Sequence, residues 1–160
     1  MGRSAKFGGT TGSTLTVSVN EKCSIDSRDY GGRTIVTYTG ILDIDRRIMH
    51  IDSSGESTIL TAGAAPAAGV WAASGLRYIR IANLDTTNFI KIRVTNENDD
   101  EYMQVLEAGS VFIMTAKTEG MVDVLDMKES AITPSLGDLK SIKAQADTAD
   151  CDIEIYVAGA

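Results

Sequence analysis

The sequence is poor in the residues from which most catalytic and metal sites are built. Its 160 residues include one histidine and two cysteines, and Cys23 and Cys151 are far apart with no CxxC pair. With His50 as the one imidazole, a zinc site is not expected. The stretch from Ser53 to Ser57 is typical of a turn and lacks a nucleophile elbow. We therefore expect a protein that is not an enzyme, with no catalytic residue, no metal and no cofactor.

Long apolar runs are also missing. No segment has the apolar core of a signal peptide or the length of a membrane span, so we expect synthesis in the cytoplasm and no membrane partner. Fifteen basic against 22 acidic residues give a net charge of −7, which disfavours a nucleic-acid partner because phosphates repel it. Four basic residues lie close together as a local exception, and we expect them on solvated strand faces or opposite acidic groups of neighbouring strands. They are Arg77, Arg80, Lys91 and Arg93.

Aromatic residues are scarce, at 6 %, whereas 15 glycines supply many turn positions. The chain instead contains short runs of Ile, Val, Phe and Tyr, separated by Asn, Asp, Thr or Gly. This is the pattern of half-buried strands with tight connections. Four such runs follow one another in the central part of the chain and predict a β-meander. They cover residues 76–83, 88–95, 101–106 and 110–115.

Further alternating runs predict strands on both sides of the meander. A turn at Tyr30–Arg33 is expected to separate the first two. Within residues 41–51 the apolar side changes around Arg46 and Arg47, which predicts a bulge or a turn, because a one-residue slip moves every side chain to the other face. The segment 135–146 fits either a helix or a strand, and we favour a strand. The runs cover residues 15–19, 34–38, 41–51, 120–126, 139–144 and 151–157.

The total is nine or ten short strands with no sustained helix. By the rules of layer packing this predicts an all-β fold, an antiparallel β-sandwich, for which a jelly roll is the best guess of topology. We assign residues 14–160 to this one sandwich domain. Residues 1–13, which are mainly Gly, Ser and Thr, are assigned to a flexible N-terminal arm. Cys23 and Cys151 are expected to be free and buried, the alternative being a bridge between strands near the termini.

Residues 61–75 are rich in Ala and Gly and contain the one tryptophan. Gly and Pro residues interrupt any helix there, so we interpret the segment as a long loop that Trp71 anchors by burying its ring. Exposure of Trp71 to a partner is the alternative, since tryptophan is favoured at interfaces. The candidate interface residues are Trp71 and three residues of the arm, Arg3, Lys6 and Phe7.

Two features resemble sites but have simpler interpretations. Asn96, Asn98 and Asp100 alternate as in a calcium loop, yet Glu101 occupies the position where glycine is required, so a solvated acidic hairpin tip is favoured. Carboxylates in the first third of the chain alternate with apolar residues, which is typical of solvated strand faces and not of a catalytic pair. His50 has no partner motif and is expected to be a structural histidine.

Two stretches together resemble small β-sandwich virion proteins of tailed bacteriophages. They are Tyr78-Ile-Arg-Ile-Ala-Asn-Leu-Asp-Thr-Thr-Asn-Phe-Ile-Lys-Ile-Arg-Val94 and Leu106-Glu-Ala-Gly-Ser-Val-Phe-Ile-Met114. A strand that ends in Asn, a polar turn, a second strand and an apolar-x-x-Gly step into a third strand are similar to the pattern of capsid decoration proteins and of tail or fibre domains. The resemblance covers roughly residues 70–125.

The resemblance implies a non-enzymatic structural protein of the virion, made in the host cytoplasm. The first expectation is a capsid decoration, or cement, protein that stabilises the head lattice through subunit contacts. The implied partners are the major capsid protein and further copies of the chain, with a trimer as the expected oligomer. Two alternatives stay open: a tail, neck or fibre-attachment subunit of the same particle, and a carbohydrate-binding β-sandwich module.

Overall fold

The structure, a computed structural model, describes residues 12–117 and 137–160, so the predicted strand at 120–126 lies outside the described residues. The described chain forms thirteen strands and a short 3-10 helix, Ala73–Gly75. Three strands are only two residues long, which leaves ten longer ones. The strands are β1 (Ser13–Glu21), β2 (Ser24–Ile25), β3 (Arg28–Asp29), β4 (Gly32–Ile41), β5 (Asp43–Ile51), β6 (Ser57–Gly63), β7 (Trp71–Ala72), β8 (Leu76–Asn83), β9 (Ile90–Asn96), β10 (Glu101–Leu106), β11 (Val111–Thr115), β12 (Leu139–Ala146) and β13 (Cys151–Gly159).

Eight of these strands make two antiparallel sheets that face each other. The four-stranded sheet has the order β11-β8-β13-β5, and the five-stranded sheet has the order β10-β9-β12-β6, with the short parallel strand β7 beside β6. With β7 set aside, successive strands from β5 onward alternate between the sheets, except at the β9–β10 hairpin. This is the strand order of a jelly roll, and the predicted all-β antiparallel sandwich is confirmed. The predicted β-meander is therefore wrong, because β8 and β11 lie in one sheet and β9 and β10 in the other. Within the described residues, no helix is long and apolar enough to cross a membrane.

One hydrophobic core lies between the two sheets. The strands of each sheet alternate buried and exposed side chains, and the buried ones are mostly Ile and Val. Burial of one such side chain contributes about 1.5–3 kcal/mol, so the periodicity that predicts these strands also supplies the stability of the sandwich. The largest fully buried side chains are Ile51, Leu76, Ile79, Ile81, Ile90, Ile92, Val94, Ile142, Ile153, Ile155 and Val157.

The last strand, β13, holds the four-stranded sheet together. It pairs with β5 along one side and with β8 along the other. Its end is fixed by two contacts, since the Ala160 N–H donates to the Gly75 carbonyl at 2.8 Å and the ring of Trp71 lies against Gly159. A Cβ at position 159 would come within 2.9 Å of that ring, so this close approach requires glycine.

Two charged side chains on the edge strand β5 point toward the edge of the hydrophobic core. Arg47 forms an ion pair with Asp45, and its Nη2 donates to the carbonyl of Ile59 at 2.8 Å. Ile59 is the extra residue of a β-bulge in β6, where the register with β12 shifts. A bulge leaves its extra residue without a ladder partner, and the guanidinium of Arg47 supplies a donor to that carbonyl.

The predicted bulge or turn around Arg46 and Arg47 in β5 is wrong. The register of β5 with β13 runs through both residues without a shift. The apolar side changes because the inner face carries Asp45 and Arg47, while Ile44 and Ile48 lie on the outer face and are exposed. The segment is a straight strand with apolar residues on both faces.

The predicted loop at 61–75 is only partly correct. Residues 61–63 belong to β6, and residues 71–75 belong to β7 and the 3-10 helix, so the loop is reduced to residues 64–70. Strand β6 continues into the Ala- and Gly-rich segment because Ala62 is buried and pairs with Trp71. A small side chain fits where β7 closes the edge of the sheet.

A buried asparagine, Asn83, closes the end of β8. Its Nδ2 donates to the carbonyl of Asn88 at 2.9 Å, and also to the carbonyls of Leu106 (3.2 Å) and Glu107 (3.3 Å). Its Oδ1 accepts from the Asp85 N–H at 3.0 Å. One side chain thus joins the end of β8, the turn after it and the end of β10.

We expect Asn83→Ala to lower the free energy of unfolding by about 2–3 kcal/mol, because four backbone groups in the turn after β8 and at the end of β10 lose their partner. Chemical denaturation followed by tryptophan fluorescence measures this change. Asn20→Ala, at an exposed position of β1, is the matched control and is expected to change stability by less than about 0.5 kcal/mol. An equally small effect at both positions would contradict the role of Asn83.

Candidate interaction surface

Strands β1 and β4, with the tip strands β2 and β3, form a two-stranded projection outside both sheets of the sandwich. We call residues 13–41 the ribbon. Its base lies on the outer face of the four-stranded sheet, where Tyr38 and Ile41 pack against Tyr78 and Ala158. Tyr38 is 4 % exposed, and the centroid of its ring lies 6.2 Å from that of Tyr78. This aromatic contact anchors the base of the ribbon to the sandwich.

Two glycines shape the base of the ribbon. The register between β1 and β4 shifts near the base, and Gly40 has φ +73°, a left-handed conformation that suits glycine. A Cβ on Gly12 would lie only 2.4 Å from the Cα of Gly40. Because a bulge bends its strand, this irregularity contributes to the direction in which the ribbon leaves the sandwich.

Beyond its base the ribbon is exposed on both faces. Every residue from Ser18 to Ile35 is exposed to solvent, and these include the large apolar side chains of Val19, Ile25 and Tyr30. Ile35 is 53 % exposed. A two-stranded hairpin is at best marginally stable alone in water, and apolar side chains stabilise it only when they are buried. We call residues 18–35 the distal ribbon. Its exposed apolar side chains are typical of a contact surface.

The tip of the ribbon is a two-residue turn at Asp26 and Ser27, which have φ 50° and 64°. Positive φ at both positions is typical of a type I′ turn, whose twist matches the flanking strands. The predicted turn at Tyr30–Arg33 is therefore wrong in position. That segment contains an irregular step instead, where the side chain of Asp29 accepts from the Gly31 N–H at 2.8 Å.

The two cysteines are free, as expected, but they differ in exposure. Cys151 is buried at the start of β13, whereas Cys23 is exposed near the tip of the ribbon. The prediction that Cys23 is buried is wrong because the ribbon carries it away from the sandwich. The distal ribbon thus contains an exposed thiol.

The ribbon covers only part of the outer face of the four-stranded sheet. Across the sheet, Val111, Ala82, Glu154 and Ile48 lie side by side, and the next row is Ile113, Arg80, Tyr156 and Arg46. We call the uncovered part of this face the open patch. It consists of Ile48, Val111 and Ile113 with the charged residues Arg46, Arg80 and Glu154.

Charges in the open patch hold one another in place. Glu154 forms ion pairs with Arg80 and with Arg46, the latter at 2.9 Å. Hydrogen bonds from Arg80 and then Arg46 lower the pKa of the Glu154 carboxyl. Around this pair of bridges Ile48 is 66 % exposed, and Val111 and Ile113 are about half exposed. The patch is therefore an apolar surface with a fixed charged centre.

The outer face of the five-stranded sheet is different, because several salt bridges lie on it beside the exposed Met103 and Val105. Arg93 pairs with Glu56 at 2.7 Å and with Glu101 at 3.2 Å, and Lys91 pairs with Asp147 at 3.0 Å. Arg80 pairs with Glu154, so three of the four basic residues meet acidic groups as expected, whereas Arg77 donates to the backbone carbonyls of Ser74 and Leu76. A depression of about 150 Å³ lies on this face, below the roughly 300–1,000 Å³ of small-molecule sites.

The predicted interface residues are only partly within the described chain. Arg3, Lys6 and Phe7 lie outside the described residues. Trp71 is half-buried, packs against the main core and lies against Gly159. This agrees with the interpretation of Trp71 as an anchor, while its role in an interface stays a prediction.

The acidic segment that resembles a calcium loop is a tight turn. The side-chain oxygen of Asn96 accepts from the N–H groups of Asn98 and Asp100, both at 2.9 Å. Asp99 has φ 65° and its carboxylate pairs with Lys140 of β12. The Asn96 oxygen thus binds backbone donors, as expected of a hairpin tip.

Four of the five tyrosines are at least partly buried. Tyr38 and Tyr78 are buried, and Tyr102 and Tyr156 are partly buried against the two clusters. Tyr30 is exposed on the ribbon. The exposed aromatic platform that sugar sites commonly use is therefore not built from these five side chains.

His50 lies between two aspartates on the exposed end of the β5–β13 pair. Its Nδ1 is 3.0 Å from Asp152 Oδ1, and its Nε2 is 3.3 Å from Asp150 Oδ2. Asp150 also accepts from the hydroxyl of Ser53 at 2.8 Å. In a catalytic triad the histidine lies between serine and aspartate, whereas here the aspartate lies between the other two. His50, Asp52 and Asp150 could hold a cation, and all three are exposed.

We expect the single histidine resonance to titrate with a raised pKa, because hydrogen bonds to Asp152 and then Asp150 favour the charged imidazole. A raised pKa means that His50 stabilises the fold below the unfolded value of about 6.5 and that this contribution is lost as pH rises through the folded pKa. NMR titration measures the folded value. Asp152→Asn should lower it, and a wild-type pKa at or below that of unfolded histidine would contradict the geometry.

We expect the two thiols to react at very different rates with a water-soluble disulfide reagent. Cys23 is exposed, whereas Cys151 is buried and burial raises the pKa of its thiol. The native protein should therefore consume one equivalent of reagent quickly and the second only on unfolding. Cys23→Ser removes the fast phase. Two fast equivalents from the native wild type would show that Cys151 is accessible.

Comparison of the chain with protein-family models, curated proteins and solved structures finds no match in any of the three. The case for a function therefore rests on two surfaces of the molecule itself. One is the exposed apolar distal ribbon, and the other is the open patch beside its base.

Proposed function

We propose that the chain is a non-enzymatic structural protein of a tailed-phage virion, and in the first place a capsid decoration protein that stabilises the head lattice. The distal ribbon is the observation that carries this proposal. Eighteen successive residues, 18–35, are exposed, and they include four large apolar side chains on a support of only two strands. Such a segment loses apolar exposure when it is inserted between neighbouring subunits, which is the action of a cement protein.

The charge distribution supports assembly through the ribbon. The whole chain has a net charge of −7, so copies that come together repel each other. The ribbon has three acidic residues, Glu21, Asp26 and Asp29, and three basic residues, Lys22, Arg28 and Arg33, so its net charge is zero. A neutral apolar projection is the part of an acidic chain that approaches another subunit at the lowest electrostatic cost.

The test is cosedimentation of the purified chain with capsids that lack it. We expect saturable binding of the wild type and binding that is at least about tenfold weaker for the double variant Val19→Ser, Ile35→Ser, which corresponds to about 1.4 kcal/mol. When the wild type is bound, capsids should break or release their packaged DNA only at a higher temperature.

The matched control is the double variant Met103→Ser, Val105→Ser. These residues are exposed to a similar degree on the outer face of the five-stranded sheet, so the loss of apolar surface is comparable. Binding should be unchanged for this control. Binding to tails or necks but not to heads would replace the decoration role by that of a tail, neck or fibre subunit. Binding to neither, with binding to a glycan array, would favour the carbohydrate module.

A further inference from the structure

We propose that the distal ribbon of one copy lies on the open patch of a second copy of this chain. The inference rests on the assembly role proposed above and names one partner of the ribbon. Each chain then has one projecting surface and one receiving surface, and copies associate by exchanging ribbons.

The open patch is continuous with a contact that already exists within each chain. The outer face of the four-stranded sheet binds the base of its own ribbon through Tyr38, Tyr78 and Tyr156, with the rings of Tyr78 and Tyr156 in edge contact at 5.8 Å. The open patch is the next part of this face, since Arg80 and Ile113 lie one row beyond Tyr78. A surface that accepts one part of the ribbon thus continues, uncovered, beside it.

The apolar pattern also continues along the ribbon. Leu15 faces Tyr38 and Val17 faces Val36, and these pairs pack at least partly against the sandwich. Val19 continues the same stripe beyond the base but is exposed. The pattern that fits the outer face of the sheet therefore extends into the part of the ribbon that the chain's own sheet does not cover.

The net charges of the ribbon and the open patch also favour a contact between them. The ribbon is neutral, and the open patch contains two arginines and one glutamate, so its net charge is one positive. Both surfaces thus differ from the acidic average of the chain. Contact through them brings no two acidic surfaces together, although each copy has a net charge of −7.

Side-by-side pairing of sheets is the competing way for two copies to associate, and β5 is protected against it. Asp45 and Arg47 point inward at this edge, which is a common device against edge-to-edge pairing. Ribbon and patch are different surfaces, so two copies that exchange ribbons form a closed two-fold dimer, whereas one-way placement closes as a larger ring or continues as a filament.

The experiment uses the exposed thiol of Cys23 as a probe of the ribbon. Wild-type chain is labelled at Cys23 with a maleimide photocrosslinker, mixed as equal amounts of ¹⁴N and ¹⁵N protein and irradiated. Buried Cys151 remains unlabelled in the folded protein. We expect crosslinks between chains of different isotope that join the Cys23 peptide to peptides of β5, β8 or β11. Crosslinks only within one chain, or mainly to the five-stranded sheet, would overturn the inference.

Variants of the open patch give an independent measurement. Ile48→Lys and Ile113→Lys should each weaken self-association by about tenfold or more in sedimentation equilibrium. Both positions are exposed, so folding should be retained, and Met103→Lys is the control with no expected effect. A wild-type chain that stays monomeric at its highest soluble concentration overturns ribbon exchange.

The two proposals fail separately. If self-association and the crosslinks are found but the chain binds no part of the virion, the virion role falls and ribbon exchange stands. If the chain binds capsids as a monomer and gives no crosslinks between copies, ribbon exchange falls and the decoration role stands.

Discussion

The placement of β13 between β5 and β8 is the constraint on which the rest of the structure depends. These pairings unite the end of the described chain with two strands from its first half, and no local interaction achieves this. The inner side chains of β13, Ile153 and Ile155, are fully buried. Removing this strand would leave β5 without a partner in the described chain and β8 attached only to β11. The jelly roll is therefore completed by its last strand. Side-chain burial on one face of β13 and backbone pairing along both of its sides offset the entropy lost in closing the long loops.

The same arrangement gives the outer face its unusual character. In a sandwich with a solvated outer face, polar residues are expected there. On the four-stranded sheet the outer positions instead contain Tyr78 and Tyr156 at the ribbon base and an apolar surface beside it, Ile48, Val111 and Ile113. The opposite outer face has more salt bridges, such as Arg93 with Glu56, and its exposed apolar residues Met103 and Val105 lie on the edge strand β10. One face of the molecule is thus adapted to water and the other to contact, first with the chain's own ribbon and, in our proposal, with a partner.

Most strands could be predicted from the sequence because half-burial imposes a period of two on the side chains. The four strands from Leu76 to Thr115 are predicted to within two residues at each strand end, and β13 is predicted from its alternation. Their arrangement as a meander is wrong, because β8 and β11 lie in one sheet and β9 and β10 in the other. Errors occurred where apolar residues do not face the core. The two-sided strand β5 was interpreted as bulged, since nothing in Ile44 or Ile48 indicates that their face is exposed. Alternation in β1 and β4 predicted two strands but not that they leave the sandwich, because a strand in a sheet and a strand in a ribbon have the same period.

The sequence by itself determined the class of the fold and the main strands, because both follow from local spacing and composition. Tertiary structure alone decided the jelly-roll order, the exposure of Cys23, the inward direction of Arg47 toward the Ile59 carbonyl and the assembly of the open patch from four strands. Ile48 and Ile113 are 65 positions apart in the sequence, and they share a surface only because β8 and β13 lie between them. Spacing along a chain records which side of a strand is buried, whereas the neighbour across a sheet is set by the register of pairing, which no single strand contains.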